Sequence, residues 1–215
     1  MSTAAVRRYT VEEYLVLERD SETKHEFYDG EIFAMAGASK PHSLVAGNVY
    51  AALHAAVRDR DCYAYPSDMR IVCPTGLFAY PDASVACDSE DVEVIRGLDT
   101  LKNPLIIVEV LSKSTEAYDL GNKFDHYRAI PSLRGYLLLR QDRPRAYYYR
   151  RQDDGNWLLT SADGLDANIA LPELDLSLSL ADLYAKVEFP PAEELDRFVP
   201  DATPPESHPA GPRIL

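Results

Sequence analysis

A chain of 215 residues with 22 lysines and arginines against 35 aspartates and glutamates carries a net charge of −13; it is long enough for one well-buried domain with trimmings and too short for two comfortable ones. So acidic a chain has no general attraction for a polyanion, and any phosphate-bearing partner has to be met by a local patch or through a cation. The start, MSTAAVRRYT, has no apolar signal core, nowhere do eighteen apolar residues run together, and Cys62, Cys73 and Cys87 lack metal-ligand spacing, so the expectation is a cytoplasmic protein with reduced core thiols and no membrane span.

In chain order, YTVEEYLVLE places Thr10 as an N-cap with Glu13 three residues on, a capping box ahead of a short helix. HEFYDGEIFAMAG predicts two short strands turned at Asp29-Gly30. From Pro41 to Arg58 the apolar residues Val45, Val49, Ala52, Leu53 and Ala56 recur at helical spacing. CYAYPSDMRIVC and LFAYPDASVAC then read as strands. In the second, alternation puts Phe78, Tyr80, Asp82, Ser84 and Ala86 on one face, so that Asp82 emerges at mid-strand.

NPLIIVEVLSKST contains the least expected residue of the chain. Leu105 to Val108 with Val110 and Leu111 form the continuous apolar run of a strand buried on both faces, and Glu109 stands inside it. An ionised carboxylate there costs several kcal/mol unless it is paired, hydrogen-bonded or bound to a metal. A helix is expected from about Ser114 to Ala129, with Asp119, Lys123 and Tyr127 at i, i+4 and i+8 on one face, and if it packs back on the sheet Lys123 reaches Asp82 and Glu109. The strand LRGYLLLR follows, then a hairpin turned at Asp154-Gly155 in RAYYYRRQDDGNWLLTSA, then one more strand and a short helix in ANIALPELDLSLSLADLYAKV. Residues 1–8 are expected to be a flexible start, 9–189 a single domain, and 190–215 a Pro-rich, acidic, disordered tail. The order helix, three strands, helix, strand between residues 42 and 140 indicates an α/β (α+β) core, a mixed central sheet flanked by helices, with an added N-terminal helix and hairpin and a C-terminal hairpin.

Pro81-Asp82, Glu109 in an apolar strand and a lysine at hand resemble the PD-(D/E)xK nuclease superfamily, whose core has this same element order. The chain is more closely similar to a bacterial family of restriction-endonuclease-like proteins, catalogued as a domain of unknown function and abundant in cyanobacteria. The similarity lies in HEFYDGEIFAMAG, KPHSLVAGNVYAAL, YPDASV, PLIIVEVLSKST and DLGNKFDHYRAIPSLRGYLLL, in that order, and covers roughly Tyr9 to Val187. What the resemblance implies is a restriction-endonuclease-like fold and hydrolysis of DNA phosphodiester bonds with Mg²⁺, or Mn²⁺ in its place. Asp82 and Glu109 would be metal ligands, with the backbone carbonyl of Val110 as a third. Two residues after the acid, where the superfamily carries its lysine, stands Leu111, and the matching lysine is Lys123 on the following helix. The superfamily's glutamate on the first core helix has no counterpart between Ser43 and Arg58, so Glu26 or His42 is the candidate for that role, with Asp119 and Tyr127 as further supporting residues.

Hard oxygen ligands suit Mg²⁺, which keeps several waters and bridges to phosphate, and a bound cation inverts the field an acidic surface presents. Cutting both strands of a duplex favours a homodimer, with the aromatic strand AYYYRR as one candidate interface. Blander readings stand beside these. Glu109 can be a buried ion pair with Lys123 or Arg70, Asp82 a turn cap, Lys123 a solvated residue paired with Asp119. The alternative function is a nuclease-fold protein that has lost catalysis and serves as a nucleic-acid or protein binding module.

Overall fold

The computed structural model of the chain describes residues 7–87 and 91–189; the expected tail and most of the expected flexible start lie outside them. The central sheet has six strands in the order β12-β11-β10-β9-β6-β3. Its members are β3 (Cys62–Pro66), β6 (Ala83–Cys87), β9 (Ile106–Leu111), β10 (Gly135–Arg140), β11 (Arg145–Arg151) and β12 (Trp157–Asp163). β9 runs parallel to β10 and antiparallel to β6, which makes the sheet mixed.

All six residues of β9 are buried, and the strand's alternation explains how. Val108 and Val110 face α2 (Lys40–Val57), where they pack with Val45, Val49 and Leu53. Ile107 and Leu111 face the other way, onto Phe124, Tyr127, Tyr136 and Leu138. Burying an aliphatic side chain of this size contributes about 1.5–3 kcal/mol, so both faces hold β9 in register. Glu109 shares the face of Ile107 and Leu111.

A second six-stranded sheet, β2-β1-β5-β4-β8-β7, packs beside the first. It holds β1 (His25–Tyr28), β2 (Glu31–Ala34), β4 (Arg70–Val72), β5 (Phe78–Ala79), β7 (Val92–Ile95) and β8 (Leu98–Leu101). The β1–β2 turn is Asp29-Gly30, both at positive φ (47° and 80°), the backbone this dipeptide favours. α1 (Val11–Asp20) has the expected capping box, Thr10 with Glu13, and lays Tyr14 and Leu15 against Phe27, Ile32 and Phe78. The chain closes with a β13 (Asn168–Leu171), β14 (Leu176–Ser179) pair and the short α5 (Leu180–Leu183).

Several local expectations are corrected. CYAYPSDMRIVC and LFAYPDASVAC each divide between the two sheets, as β3 with β4 and β5 with β6. Pro81 lacks the N–H a continuous strand would need, so the chain breaks there and Asp82 stands just before β6 rather than at mid-strand. The helix expected from Ser114 to Ala129 is two short ones, α3 (Glu116–Leu120) and α4 (Asn122–Tyr127), divided at Gly121. The β7–β8 hairpin, turned at Arg96 (φ 51°) and Gly97 (φ 83°), was not anticipated, and the C-terminal segment holds two strands where one was expected. The thiols are corrected as well: Cys62 and Cys87 are direct partners across β3 and β6 and form a disulfide, while Cys73 is a free, buried thiol. Strand register brings the pair together across 25 residues of chain.

Candidate active site

The break at Pro81 and the register of β6 on β9 position the first acid. Ala83 is opposite Val108, which places Asp82 beside Glu109. One Asp82 oxygen accepts the backbone N–H of Val110 at 2.7 Å, and the other accepts from His42 Nε2 at 2.8 Å. His42 lies in the first turn of α2, whose N-cap Ser39 accepts the His42 backbone N–H. Burial works to lower the His42 pKa, but the hydrogen bond and charge of Asp82 outweigh it and raise it above the ordinary imidazole value.

Glu109 Oε1 accepts from the Tyr127 hydroxyl at 2.7 Å and lies 2.8 Å from Lys123 Nζ. The same ammonium is 3.0 Å from Glu26 Oε1 and 3.8 Å from Asp119 Oδ1. Glu26 comes from β1, so the cluster joins both sheets and the α3–α4 segment. Glu26, Glu109, Asp119 and Lys123 are 1–6 % exposed. Asp82 and His42 side chains retain 16 % and 19 %, so solvent reaches the cluster from their side. Gly121 permits the change of direction between α3 and α4: it sits at φ −115°, ψ −101°, and a Cβ would stand 3.0 Å from the Ala117 carbonyl oxygen. The i, i+4 approach of Lys123 to Asp119 survives the break.

Burial pushes the Glu109 carboxyl up to about 8, against the opposing pull of Lys123. Asp119 is pushed up to about 6 for the same reason. Burial alone would drive Lys123 toward neutrality, yet Glu109 and Glu26 outweigh it and hold the ammonium well above the usual lysine range. Four carboxylates, Glu26, Asp82, Glu109 and Asp119, therefore stand with one ammonium and one imidazole, and Glu109 and Asp119 hold their protons more tightly than free carboxyls do. A divalent cation suits this donor set, which is all oxygen and over-supplied with negative charge. Among the described residues no three acidic, His or Cys side chains already stand at metal-ligating positions; Lys123 lies between them. The fit is thus to a cation held by two carboxylates that keeps its own waters, as Mg²⁺ does.

The seven side chains singled out from the sequence form two adjoining groups, His42 with Asp82 and Glu109 with Lys123, Glu26, Asp119 and Tyr127. The groups are close enough that Asp82 acts on the Glu109 charge and Lys123 on that of His42. Val110 contributes its N–H. Glu18 was not foreseen. From α1 it accepts the His25 backbone N–H at 3.0 Å, pairs with His25 Nδ1 at 2.8 Å and accepts the Tyr80 hydroxyl at 2.8 Å. One carboxylate thereby ties down the residue preceding Glu26 and the residue two before Asp82. Nothing in helical periodicity marks Glu18, because its partners belong to other elements.

A restriction-endonuclease-like core with one acid on a central strand, a second just before the adjoining strand and a lysine paired with the first defines a nuclease-fold protein. Residues 11–181 match the family model Uma2, described as "Putative restriction endonuclease", and the chain belongs to that family. An uncharacterized protein of Synechocystis sp. is 35 % identical over 188 residues, 87 % of this chain and 97 % of the relative. A second from the same organism is 36 % identical over 170 residues, 79 % and 96 % of the respective chains. The crystal structure of "a putative nuclease belonging to DUF820" from Anabaena variabilis superposes with a TM-score of 0.67 at 22 % identity, covering 81 % of this chain and 97 % of that one. At that identity the likeness speaks for the fold alone. Among the described residues no helix is long and apolar enough to cross a membrane.

Proposed function

We propose that this protein is a Mg²⁺-dependent endonuclease that hydrolyses DNA phosphodiester bonds, with Mn²⁺ able to replace Mg²⁺. The observation that carries the reading is the convergence of Asp82, Glu109 and Lys123 in a cluster with more acid than base, reachable from the Asp82 side. Asp82, Glu109 and the Val110 carbonyl are the groups that would hold the cation. When bound, it supplies charge neutralisation on the phosphoryl oxygens and a water acidic enough to attack near neutral pH.

The chain's own groups do the rest. Tyr127 and Lys123 both hold Glu109 Oε1. His42 and the Val110 N–H fix that of Asp82. Lys123 is held so firmly cationic that it serves as a charge beside the pentavalent phosphorane and a donor to the attacking water, rather than as a proton acceptor. Glu26 and Asp119 keep that ammonium aimed at Glu109. Cutting both strands in one encounter calls for two sites, so a symmetric dimer belongs to the proposal.

The test is nicking of supercoiled plasmid with Mg²⁺, Mn²⁺ or chelator, alongside calorimetric titration of Mg²⁺ into wild type and Glu109→Ala. Cation-dependent nicking that Glu109→Ala abolishes supports the reading. A protein that neither binds Mg²⁺ nor nicks is left with the second reading, a binding module whose buried ions are structural. The close ion pairs of Lys123 with Glu109 and Glu26 are what favours that alternative.

A further inference from the structure

An acidic chain that acts on nucleic acid needs somewhere to receive it away from its own carboxylates, and charge is distributed very unevenly here. Between residues 128 and 151 stand seven arginines, Arg128, Arg134, Arg140, Arg143, Arg145, Arg150 and Arg151, and one acid, Asp142, against a net charge of −13 for the whole. Four are neutralised locally: Arg128 by Asp125, Arg140 by Glu116 and Asp142, Arg145 by Asp163, Arg150 by Glu173. Arg134, Arg143 and Arg151 form no ion pair among the described residues, and Arg151 donates instead to the backbone carbonyls of Pro131 and Arg128. Arg151 is pulled below the usual guanidinium range by burial and by the neighbouring charge of Arg134.

Strand register places this charge relative to the cluster. Glu109 pairs with Leu138, Leu138 with Tyr147, and Tyr147 with Ser161, a row that crosses four strands on one face of the sheet. On that same face Arg151 pairs with Trp157 and Tyr149 with Leu159. The Arg151 guanidinium lies 4.9 Å over the Trp157 indole. Phe124, next to Lys123 in the chain, meets that indole edge-on at 5.2 Å. Trp157 is half-buried, and Leu159 is 47 % exposed. Between α4 and the β11–β12 turn lies a depression of about 400 Å³, lined by Asp125, Arg128, Ala129, Arg151, Gly155 and Trp157. By register, Arg151 and Trp157 lie two and three strands across from Glu109 and four residues along the sheet, about 15–20 Å away.

We propose that this face receives a single-stranded stretch of nucleic acid, with a base stacked at the Trp157–Arg151 platform and an adjoining phosphate met by Arg134, whose charge neighbours Arg151. A guanidinium group beside an aromatic platform is the chemistry that binds strands whose bases are unpaired. The assignment rests on the nuclease reading for its purpose, and its test is separable from it. Trp157 is the chain's one tryptophan, so its fluorescence reports on this surface alone.

The experiment titrates oligothymidylate of about twelve nucleotides into the full chain in chelator, where no cutting occurs, following Trp157 emission and the anisotropy of a labelled copy. Expected are saturable quenching, affinity that falls with salt at a slope of about −0.7 per phosphate contact, and binding about tenfold weaker in Trp157→Ala and Arg134→Glu. Trp157→Phe, which keeps a stacking ring, should retain most of the affinity. Arg134 is exposed, and circular dichroism checks the fold of each variant. Plasmid nicking without quenching overturns this inference and leaves the nuclease reading intact. Quenching without nicking by any cation supports the surface and removes the nuclease reading. Trp157 emission that changes with protein concentration alone, in step with dimer mass by sedimentation, assigns the face to a second copy of the chain and overturns the inference.

Discussion

Lys123→Met removes one charge and little volume, because methionine keeps the apolar stem. The ammonium it deletes is 6 % exposed and stands 2.8, 3.0 and 3.8 Å from Glu109, Glu26 and Asp119. Breaking a buried pair by removing one partner costs about 3–5 kcal/mol. At about 2–4 °C per kcal/mol for a domain of this size, the melting temperature in chelator should fall by about 6–20 °C. Proton uptake moderates the loss, since Glu109 is already pushed up to about 8 with the lysine present; the drop should be smaller at pH 6 than at pH 9. A large drop alone does not distinguish a catalytic lysine from a structural one, because the acids are stranded in both cases. The response to Mg²⁺ does. A ligand at a hundred times its dissociation constant stabilises by about 2.7 kcal/mol, and in the variant the cation also replaces the missing positive charge. Calorimetric melts in chelator and in millimolar Mg²⁺ should therefore show Mg²⁺ recovering more of the variant's stability than it adds to wild type. An equal drop at every pH, with no effect of Mg²⁺ on either protein, would refute the metal-site reasoning and leave a structural ion pair.

Asp82→Ala and Glu109→Ala should each abolish calorimetric Mg²⁺ binding together with nicking, whereas Lys123→Met should still bind Mg²⁺ and nick about 10²–10⁴-fold more slowly. In chelator, burial raises Glu109 from 4.5 to about 8 and Asp119 from 3.8 to about 6, so above the lower values the folded state holds more protons than the unfolded one. Stability from this source is complete below about pH 4 and is lost as pH rises through 8; urea unfolding at acid, neutral and alkaline pH should show the decline, flattened in Glu109→Gln. Glu18→Ala leaves the buried donors of His25 and Tyr80 unsatisfied and should cost about 3 kcal/mol or more by denaturant unfolding, with a loss of nicking beyond what partial unfolding explains. Gly121→Ala should destabilise measurably through the close approach to the Ala117 carbonyl, seen as a lower melting midpoint.

Local chemistry was enough to recognise the capping box at Thr10, the Asp29-Gly30 turn, helix α2 and the apolar strand around Glu109, because each depends on neighbours within a few residues. Glu109 was conspicuous for the same reason: a carboxylate in a doubly buried run has to be answered by something. What answers it comes from elsewhere in the chain, and only the packed structure decided how. Glu26 arrives on a strand of the other sheet, Lys123 and Asp119 on helices divided at a glycine, and Asp82 from a break at Pro81 rather than from mid-strand. Cys62 meets Cys87 through register alone. The hydrophobic pattern of a strand states which of its faces is buried, but not which strand lies alongside or at what offset; those follow from closing long loops around a shared core, where α2 on one side and α4 on the other leave β9 a single register. That register is what turned four separated acids and one lysine into a single charged cluster.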